Sequence, residues 1–79
     1  MAKSVTVYST QSCPFCVRLK QYLKDNNVVF QDIDVGSNPE KAQEMIKKSG
    51  QMGVPVLEAD GKIVVGFDKE AIKGALGIA

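Results

Sequence analysis

Residues 9–23 read STQSCPFCVRLKQYL and contain both cysteines of the 79-residue chain, Cys13 and Cys16. Only Pro14 and Phe15 separate the two thiols, and the chain has no histidine. A disulfide between them would close a very short loop, which would restrict the unfolded chain little. A structural cross-link is therefore a poor reason for this pair of cysteines.

The segments on either side of the cysteines predict a strand followed by a helix. Residues 3–9 (KSVTVYS) are rich in β-favouring side chains and predict a buried strand. Pro14 suits the first position of a helix, where its missing N–H costs nothing. Residues 25–27 (DNN) form a polar turn that ends the helix. The residues that fall on one face of this helix are Cys16, Leu19 and Leu23.

The middle of the chain predicts a second strand and a second helix. Residues 28–35 (VVFQDIDV) form the strand, Ser37 or Asn38 caps the helix, Pro39 lies in its first turn and Gly50 ends it. The residues expected on the buried side of these elements are Val29, Ile33 and Val35 in the strand and Ala42, Met45 and Ile46 in the helix.

The last third predicts a β-hairpin and a final helix. Residues 54–59 and 62–65 are short apolar runs separated by Asp60-Gly61, a strong hairpin signal. Asp68 is a good N-cap for a helix whose apolar face contains Ile72, Ala75 and Leu76. The element order is β-α-β-α-β-β-α, which predicts an α/β fold with a four-stranded mixed sheet flanked by three helices. The β-α-β unit makes the first two strands parallel.

Composition limits the possible functions. We expect one domain over residues 1–79, with 44% hydrophobic and 24% charged residues, as in an ordinary globular chain. The net charge of +1 does not favour nucleic acid or a membrane surface as a partner. No apolar run approaches the length of a membrane span. Because the first residues lead directly into a strand pattern, we expect a cytoplasmic location.

The spacing of the two thiols predicts redox chemistry. Cys13 lies at the junction between strand and helix, where free backbone N–H groups and the helix dipole stabilise a negative charge. Thiols in Cys-X-X-Cys motifs at helix N-termini are commonly more acidic than free cysteine. Cys16 lies one helical turn further in. We therefore expect Cys13 to attack a disulfide and Cys16 to resolve the mixed disulfide.

Packing and zinc binding account for the cysteines less well than redox chemistry does. A buried cysteine often behaves as a small hydrophobe, which suits Cys16 alone but not the pair. A closed structural zinc site needs four ligands, whereas this chain offers two cysteines and no histidine. Within a β-α-β unit the motif favours redox chemistry, and no metal site is predicted.

Three motifs give the chain a resemblance to a known family. Cys13-Pro14-Phe15-Cys16 resembles the Cys-Pro-Tyr-Cys motif of dithiol glutaredoxins. Gly53-Val54-Pro55 resembles the Thr-Val-Pro segment of that family, whose proline is cis. Gly66-Phe67-Asp68 resembles the turn that meets the γ-glutamyl end of glutathione. The motifs occur in the family's order and span nearly the whole chain.

The resemblance implies a thioredoxin-like fold and a thiol-disulfide oxidoreductase. It implies glutathione as reductant or co-substrate, no tightly bound cofactor, disulfide-containing proteins as substrates and a monomeric state. Cys13 and Cys16 would be catalytic. The substrate-binding residues that it implies are Phe15, Gln51, Val54, Pro55, Gly66, Phe67 and Asp68.

Several of these residues could equally serve the fold alone. Pro55 can be an ordinary proline at the start of a strand, although a cis bond there would turn the Val54 backbone outward for pairing with an extended peptide. Asp68 can be a plain N-cap, and a capped helix start still offers N–H groups to a carboxylate. Phe15 can serve packing alone or form an apolar wall for a bound disulfide.

Two positions depart from the family pattern. Many glutaredoxins have Lys or Arg where this chain has Thr10, and a basic residue near Gln51 and Met52. The side chain of Gln51 can still donate a hydrogen bond. Because charge-assisted hydrogen bonds are the stronger ones, these departures predict weaker glutathione binding.

Two alternative functions remain open. One is a glutaredoxin-like redoxin that a flavoprotein reductase of the thioredoxin-reductase type reduces in place of glutathione, as in hydrogen donors of ribonucleotide reductase. The other is a binding module in which a dimer holds an iron–sulfur cluster between Cys13 thiolates and glutathione. Visible absorbance of freshly isolated protein would reveal the cluster.

Overall fold

A computed structural model describes residues 5–51 and 53–77 of the chain. The strands are β1 (Val5–Ser9), β2 (Gln31–Asp34), β3 (Val56–Ala59) and β4 (Lys62–Val65), and the helices are α1 (Pro14–Asp25), α2 (Pro39–Ser49) and α3 (Lys69–Leu76). Their order along the chain is β-α-β-α-β-β-α, as predicted. Lys3 and Ser4, which the sequence assigns to the first strand, lie outside the described residues.

The four strands form one mixed sheet in the order β2-β1-β3-β4. β1 pairs parallel with β2 and antiparallel with β3, and β3 pairs antiparallel with β4. Asp60 and Gly61 connect the last pair with φ of 53° and 86°, the positive values that a tight hairpin turn requires. The predicted sheet and hairpin are confirmed, although β3 begins at Val56, after the cis Val54–Pro55 bond, rather than at residue 54.

Alternating side chains of the strands cover the two faces of the sheet with separate apolar clusters. On one face, α1 and α3 pack on the sheet, and the cluster contains Val5, Val7, Leu19, Leu23, Leu57, Ala59, Val64, Ile72, Ala75 and Leu76. On the other face, α2 packs through Met45 against Tyr8, Val35 and Val56. The period of two along a strand produces this division, since Val7 and Tyr8 point to opposite faces.

Each helix begins where the sequence predicts. Pro14 and Pro39 occupy the first turns of α1 and α2, and Asn38 rather than Ser37 caps α2 by accepting a hydrogen bond from the Lys41 N–H. Gly50 ends α2 in the left-handed region, with φ 76°. None of the helices formed by residues 5–51 and 53–77 is long and apolar enough to cross a membrane.

The second strand is shorter than predicted. It covers Gln31–Asp34 rather than residues 28–35, and Val29, whose expected place is the buried face, is 85% exposed. The Val28 N–H donates to the Leu23 carbonyl at 2.9 Å, so the chain still wraps around the end of α1 at this point. Pairing with β1 therefore begins only at Gln31, opposite Thr6.

Candidate active site

Cys13 is the N-cap residue of α1. Its backbone is extended, and its Sγ atom accepts a hydrogen bond from the Cys16 N–H at 3.2 Å. The same sulfur lies 4.0 Å from the carbonyl oxygen of Val54. Cys13 is partly exposed, and its sulfur occupies the place where a helix N-terminus stabilises an anion. This arrangement suits a thiolate nucleophile that an incoming disulfide can reach.

Cys16 has a different environment. Its side chain is fully buried, and both thiols are free. Burial raises the pKa of the Cys16 thiol to about 11, and the hydrogen bond with Cys13 adds to the rise. The backbone of Thr10 and the charge of Lys20 act in the opposite direction on this pKa. Cys16 therefore keeps its proton at neutral pH.

The loop before β3 lies against the nucleophile. The Val54–Pro55 peptide bond is cis, as the resemblance implies, and Val54 is partly buried. The Gly66 N–H donates to the Pro55 carbonyl at 2.8 Å, and Gly66 has φ 79°. Cys13, Val54, Pro55 and Gly66 are thus linked by contacts into one edge. We call Val54, Pro55 and Gly66 the docking edge.

Phe67 and Asp68 follow this edge, and both make structural contacts. The Asp68 Oδ1 atom accepts a hydrogen bond from the Ala71 N–H at 3.3 Å, so Asp68 caps α3. The Phe67 ring is partly buried and meets the Tyr22 ring edge-to-face, with centroids 6.0 Å apart. The side chain of Phe67 therefore packs toward α1, and its backbone continues the docking edge.

Phe15 and Gln51 are both exposed. The Phe15 side chain is 55% exposed beside Cys13, and the Arg18 guanidinium lies 5.7 Å from its ring centroid. The Gln51 amide nitrogen lies beside Gly53, one residue before Val54. Met52, the other position at which the sequence departs from the family pattern, lies outside the described residues.

A cleft beside Cys13 contains a carboxylate that the sequence analysis missed. Asp34 accepts hydrogen bonds from the Gln11 side-chain amide at 3.2 Å and from the Gly36 N–H at 2.9 Å. The cleft has a volume of about 510 Å³, and its lining residues are Thr10, Gln11, Ser12, Asp34, Gly36 and Ser37. Because parallel strands end at the same sheet edge, the pairing of β1 with β2 brings Asp34 opposite Ser9, the last residue of β1 before the loop that leads to Cys13. The predicted parallel pairing of β1 with β2 was the one feature of the sequence that could have indicated Asp34 as a site residue.

An ion pair between Lys20 and Asp32 lies next to α1, near Cys16. Lys20 pairs with Asp32 at 3.1 Å, and Asp32 also accepts a hydrogen bond from the buried Ser9 hydroxyl at 2.9 Å. Lys20 is one helical turn beyond Cys16, and its charge lowers the pKa of that thiol. This contact opposes the effect of burial but does not overcome it.

Two thiols at the start of a helix, opposite a cis-proline of a mixed sheet, define a thioredoxin-like thiol-disulfide oxidoreductase. The sequence profile of the glutaredoxin family matches residues 5–64. The chain belongs to the glutaredoxin family, and its members are thiol-disulfide oxidoreductases.

Individual relatives agree with this assignment. An uncharacterized glutaredoxin-like 8.6 kDa protein in the rubredoxin operon of Clostridium pasteurianum is 44% identical over 68 residues, which cover 86% of this chain and 91% of that protein. Glutaredoxin 3 of Escherichia coli (strain K12) is 37% identical over 65 residues, covering 82% of this chain and 78% of the relative. The solved structure of the glutaredoxin-like protein NrdH-redoxin from Escherichia coli, described by its thioredoxin-like activity profile, superimposes with a TM-score of 0.81. It is 25% identical and covers 90% of this chain and 92% of that one.

Proposed function

We propose that this protein reduces protein disulfides and glutathione mixed disulfides by two-thiol exchange, with Cys13 as the nucleophile, Cys16 as the resolving thiol and glutathione as the reductant. The contrast between the two thiols carries the proposal. The Cys13 sulfur is accessible and accepts an N–H bond at the helix start, whereas Cys16 is fully buried with its pKa raised to about 11. Only the exposed thiol is available for the first attack.

The reaction proceeds in two exchanges. The Cys13 thiolate attacks one sulfur of the substrate disulfide, the substrate S–S bond breaks, and the other substrate sulfur leaves as a thiolate. Cys16 then loses its proton to water or to the departing thiolate and attacks the Cys13 sulfur. The Cys13–Cys16 disulfide forms and the second substrate thiol is released. The substrate gains two electrons and the enzyme dithiol loses them.

The docking edge would hold the substrate in line for attack. A substrate segment can pair with the backbone of Val54 as a short added strand, which brings its sulfur to Cys13. The Cys13 sulfur is already within 4.0 Å of the Val54 carbonyl oxygen, so one short segment can contact both. In this proposal the backbone of Phe67 and Asp68 extends the docking edge beyond Gly66, while Phe15 and Gln51 flank it.

Glutathione would restore the dithiol without a tightly bound cofactor. One glutathione thiolate opens the Cys13–Cys16 disulfide and a second releases the first as glutathione disulfide, which returns two electrons to the enzyme. Membership of the glutaredoxin family supports this reductant. A monomer in the cytoplasm fits the proposal, because glutathione and thioredoxin systems keep thiols reduced there.

A second candidate differs only in the electron donor, and the cleft beside Cys13 favours it. Thr10 supplies no positive charge for a glutathione carboxylate, and Asp34 adds a negative charge to the same cleft. Like charges at close range oppose binding, so this cleft is a poor carboxylate site. A flavoprotein reductase would deliver electrons to the Cys13–Cys16 disulfide without using that cleft. The similarity to NrdH-redoxin, with its thioredoxin-like activity profile, agrees with this candidate.

A coupled assay separates the proposals. The protein is given insulin or a glutathionylated peptide as acceptor, and NADPH consumption is followed with either glutathione and glutathione reductase or thioredoxin reductase alone. Turnover that requires glutathione supports the first proposal. Turnover with thioredoxin reductase alone, at a rate that glutathione does not increase, supports the second. Absence of turnover with both donors and both acceptors would contradict the proposed reaction itself.

A further inference from the structure

A cleft between α1 and the start of α3 has no role in the exchange described above. Its volume is about 360 Å³, and its lining residues are Arg18, Gln21, Tyr22, Asp25, Phe67 and Lys69. We infer that this cleft binds an acidic side chain of the protein that carries the disulfide, about four residues from the attacked cysteine. The inference rests on the proposed function, because it specifies the substrate of the same site.

The charge of the cleft suits a carboxylate. Within residues 5–51 and 53–77, neither Arg18 nor Lys69 lies within ion-pair distance of a carboxylate. Asp25, the acidic residue of the lining, accepts a hydrogen bond from the Gln21 amide at 2.9 Å. The two cations outnumber the one carboxylate of the lining, so the cleft keeps a net positive charge.

A tyrosine hydroxyl supports the same ligand independently of the charges. The Tyr22 Oη atom is buried and has no hydrogen-bond partner among the described residues. Most buried polar atoms have such a partner, so an orphaned hydroxyl in a cleft suggests a missing acceptor. The Lys69 ammonium lies 6.0 Å from the Tyr22 ring centroid and 5.9 Å from that of Phe67. A carboxylate that enters the cleft can lie close to Lys69, and it accepts from the buried Tyr22 hydroxyl once the side chains that cover this hydroxyl move aside.

The position of the cleft connects it to the active site. Arg18 lies against Phe15, which is exposed beside the Cys13–Cys16 motif. Phe67 directly follows Gly66 of the docking edge. A polypeptide that pairs with this edge and brings its disulfide to the nucleophile therefore passes the mouth of the cleft.

The length of α1 decides between a protein and glutathione as the source of the carboxylate. Tyr22 is nine residues beyond Cys13, which corresponds to about 14 Å along a helix at about 1.5 Å per residue. An extended chain covers about 3.4 Å per residue, so the carboxylate belongs about four residues from the substrate cysteine. Glutathione has a single residue on each side of its cysteine, so from Cys13 it can meet the turn at Gly66, Phe67 and Asp68 but does not extend along α1 as far as Tyr22.

The test uses single-turnover reduction by the pre-reduced protein, so that no external reductant enters. The probes are synthetic peptides with one disulfide and either Glu or Gln four residues from the cysteine, placed on the N-terminal side in one pair and on the C-terminal side in the other. In one of the two pairs the Glu peptide should be reduced two- to fivefold faster, the range for exposed ion pairs. The ratio of the Glu-peptide rate to the Gln-peptide rate should fall toward one as salt is added.

Variants locate the effect in the cleft. The ratio of the Glu-peptide rate to the Gln-peptide rate should fall to about one in the double variant Arg18→Gln/Lys69→Gln. It should also fall in Tyr22→Phe, which removes only the hydroxyl. Lys73→Gln removes an exposed positive charge from α3, the helix that contains Lys69, but outside the cleft. This control variant should keep the rate ratio of the parent protein. The reduction rate of a glutathione mixed disulfide should not depend on Arg18 or Lys69 beyond the change seen with Lys73→Gln.

Other outcomes would overturn the inference. Equal reduction of Glu and Gln peptides in both pairs at low salt would contradict the acidic preference while leaving the proposed reaction intact. A loss of glutathione turnover in the double variant, with no effect on the peptide ratio, would assign the cleft to the glutathione carboxylate. Failure to reduce any of these substrates would contradict the proposed function together with the inference.

Discussion

The buried thiol provides a sharp test of the division of labour between the cysteines. Replacing Cys13 with serine leaves Cys16 as the sole thiol and keeps a small polar atom at position 13. Burial is the largest cause of the raised pKa of Cys16, and it does not depend on Cys13. The pKa of Cys16 in the folded variant should therefore stay well above that of a free cysteine.

The expected magnitude follows from the fraction of thiolate, which is the reactive form. With a pKa of about 11, Cys16 is ionised in about one molecule in ten thousand at pH 7. A free cysteine of pKa about 8.5 is ionised to about 3% at that pH. In the parent protein this difference corresponds to alkylation about 300-fold slower than in the unfolded chain. Because Cys13→Ser removes the smaller contributions of Cys13 to this pKa, alkylation of Cys16 in the folded variant should be slower by up to about 300-fold on this ground alone. Its complete burial slows the reaction further.

The assay measures iodoacetamide incorporation by intact mass as a function of pH. The same variant in concentrated urea supplies the rate for an accessible thiol, and folded Cys16→Ser supplies the rate for Cys13. Cys13 should be alkylated fast at neutral pH, whereas labelling of Cys16 should rise only at a pH well above the pKa of a free cysteine, because burial keeps its pKa raised. The reasoning is refuted if folded Cys13→Ser is labelled at pH 7 within a few-fold of the unfolded chain.

Three further predictions concern stability and glutathione recognition. Thr10→Lys should lower the Michaelis constant for a glutathione mixed disulfide by about two- to fivefold at low salt, and the decrease should be larger when Asp34→Asn is added. An unchanged Michaelis constant in both variants would show that the cleft lined by Thr10 and Asp34 does not face glutathione. The pKa of Cys16 is higher in the folded than in the unfolded state, so the protonated thiol makes its full contribution to stability below about pH 8.5. As the pH rises toward 11, the free energy of unfolding should fall by about 3 kcal/mol because this contribution is lost. Urea unfolding of the reduced protein should show this loss against Cys16→Ala, and parallel pH profiles of the two proteins would contradict it. Asp68→Ala should lower the free energy of unfolding by about 1 kcal/mol through loss of the α3 cap, whereas Asp68→Asn should keep most of the stability that the cap contributes. Equal losses in both variants would contradict a capping role.

Local sequence signals predicted most of the fold. Pro14 marks the start of α1, and Asp60-Gly61 marks the hairpin, because each acts through its own backbone conformation. The strand at residues 28–35 was predicted too long, since apolar composition does not report that Val28 is held by the end of α1. The exposure of Val29 follows from that tertiary constraint.

The candidate site was predictable only in part, for a similar reason. Cys13 and Cys16 are close in the sequence, so their spacing on a helix start was visible at once. Asp34 comes to the cleft lined by Thr10 and Ser12 only through the pairing of β1 with β2, and Tyr22 meets Phe67 only after α1 and α3 pack on one face. Contacts of this kind depend on register and packing, which a single sequence does not specify residue by residue.

Trapping of the mixed disulfide tests the central claim most directly. Pre-reduced Cys16→Ser is mixed with a peptide disulfide, and the products are analysed by mass spectrometry without reductant. Cys13 attack without a resolving thiol should leave the protein covalently joined to one half of the peptide through Cys13, with the other half released as a thiol in equal amount. The account is contradicted if Cys16→Ser forms no adduct, or if Cys13→Ser reduces the peptide disulfide at the rate of the parent protein.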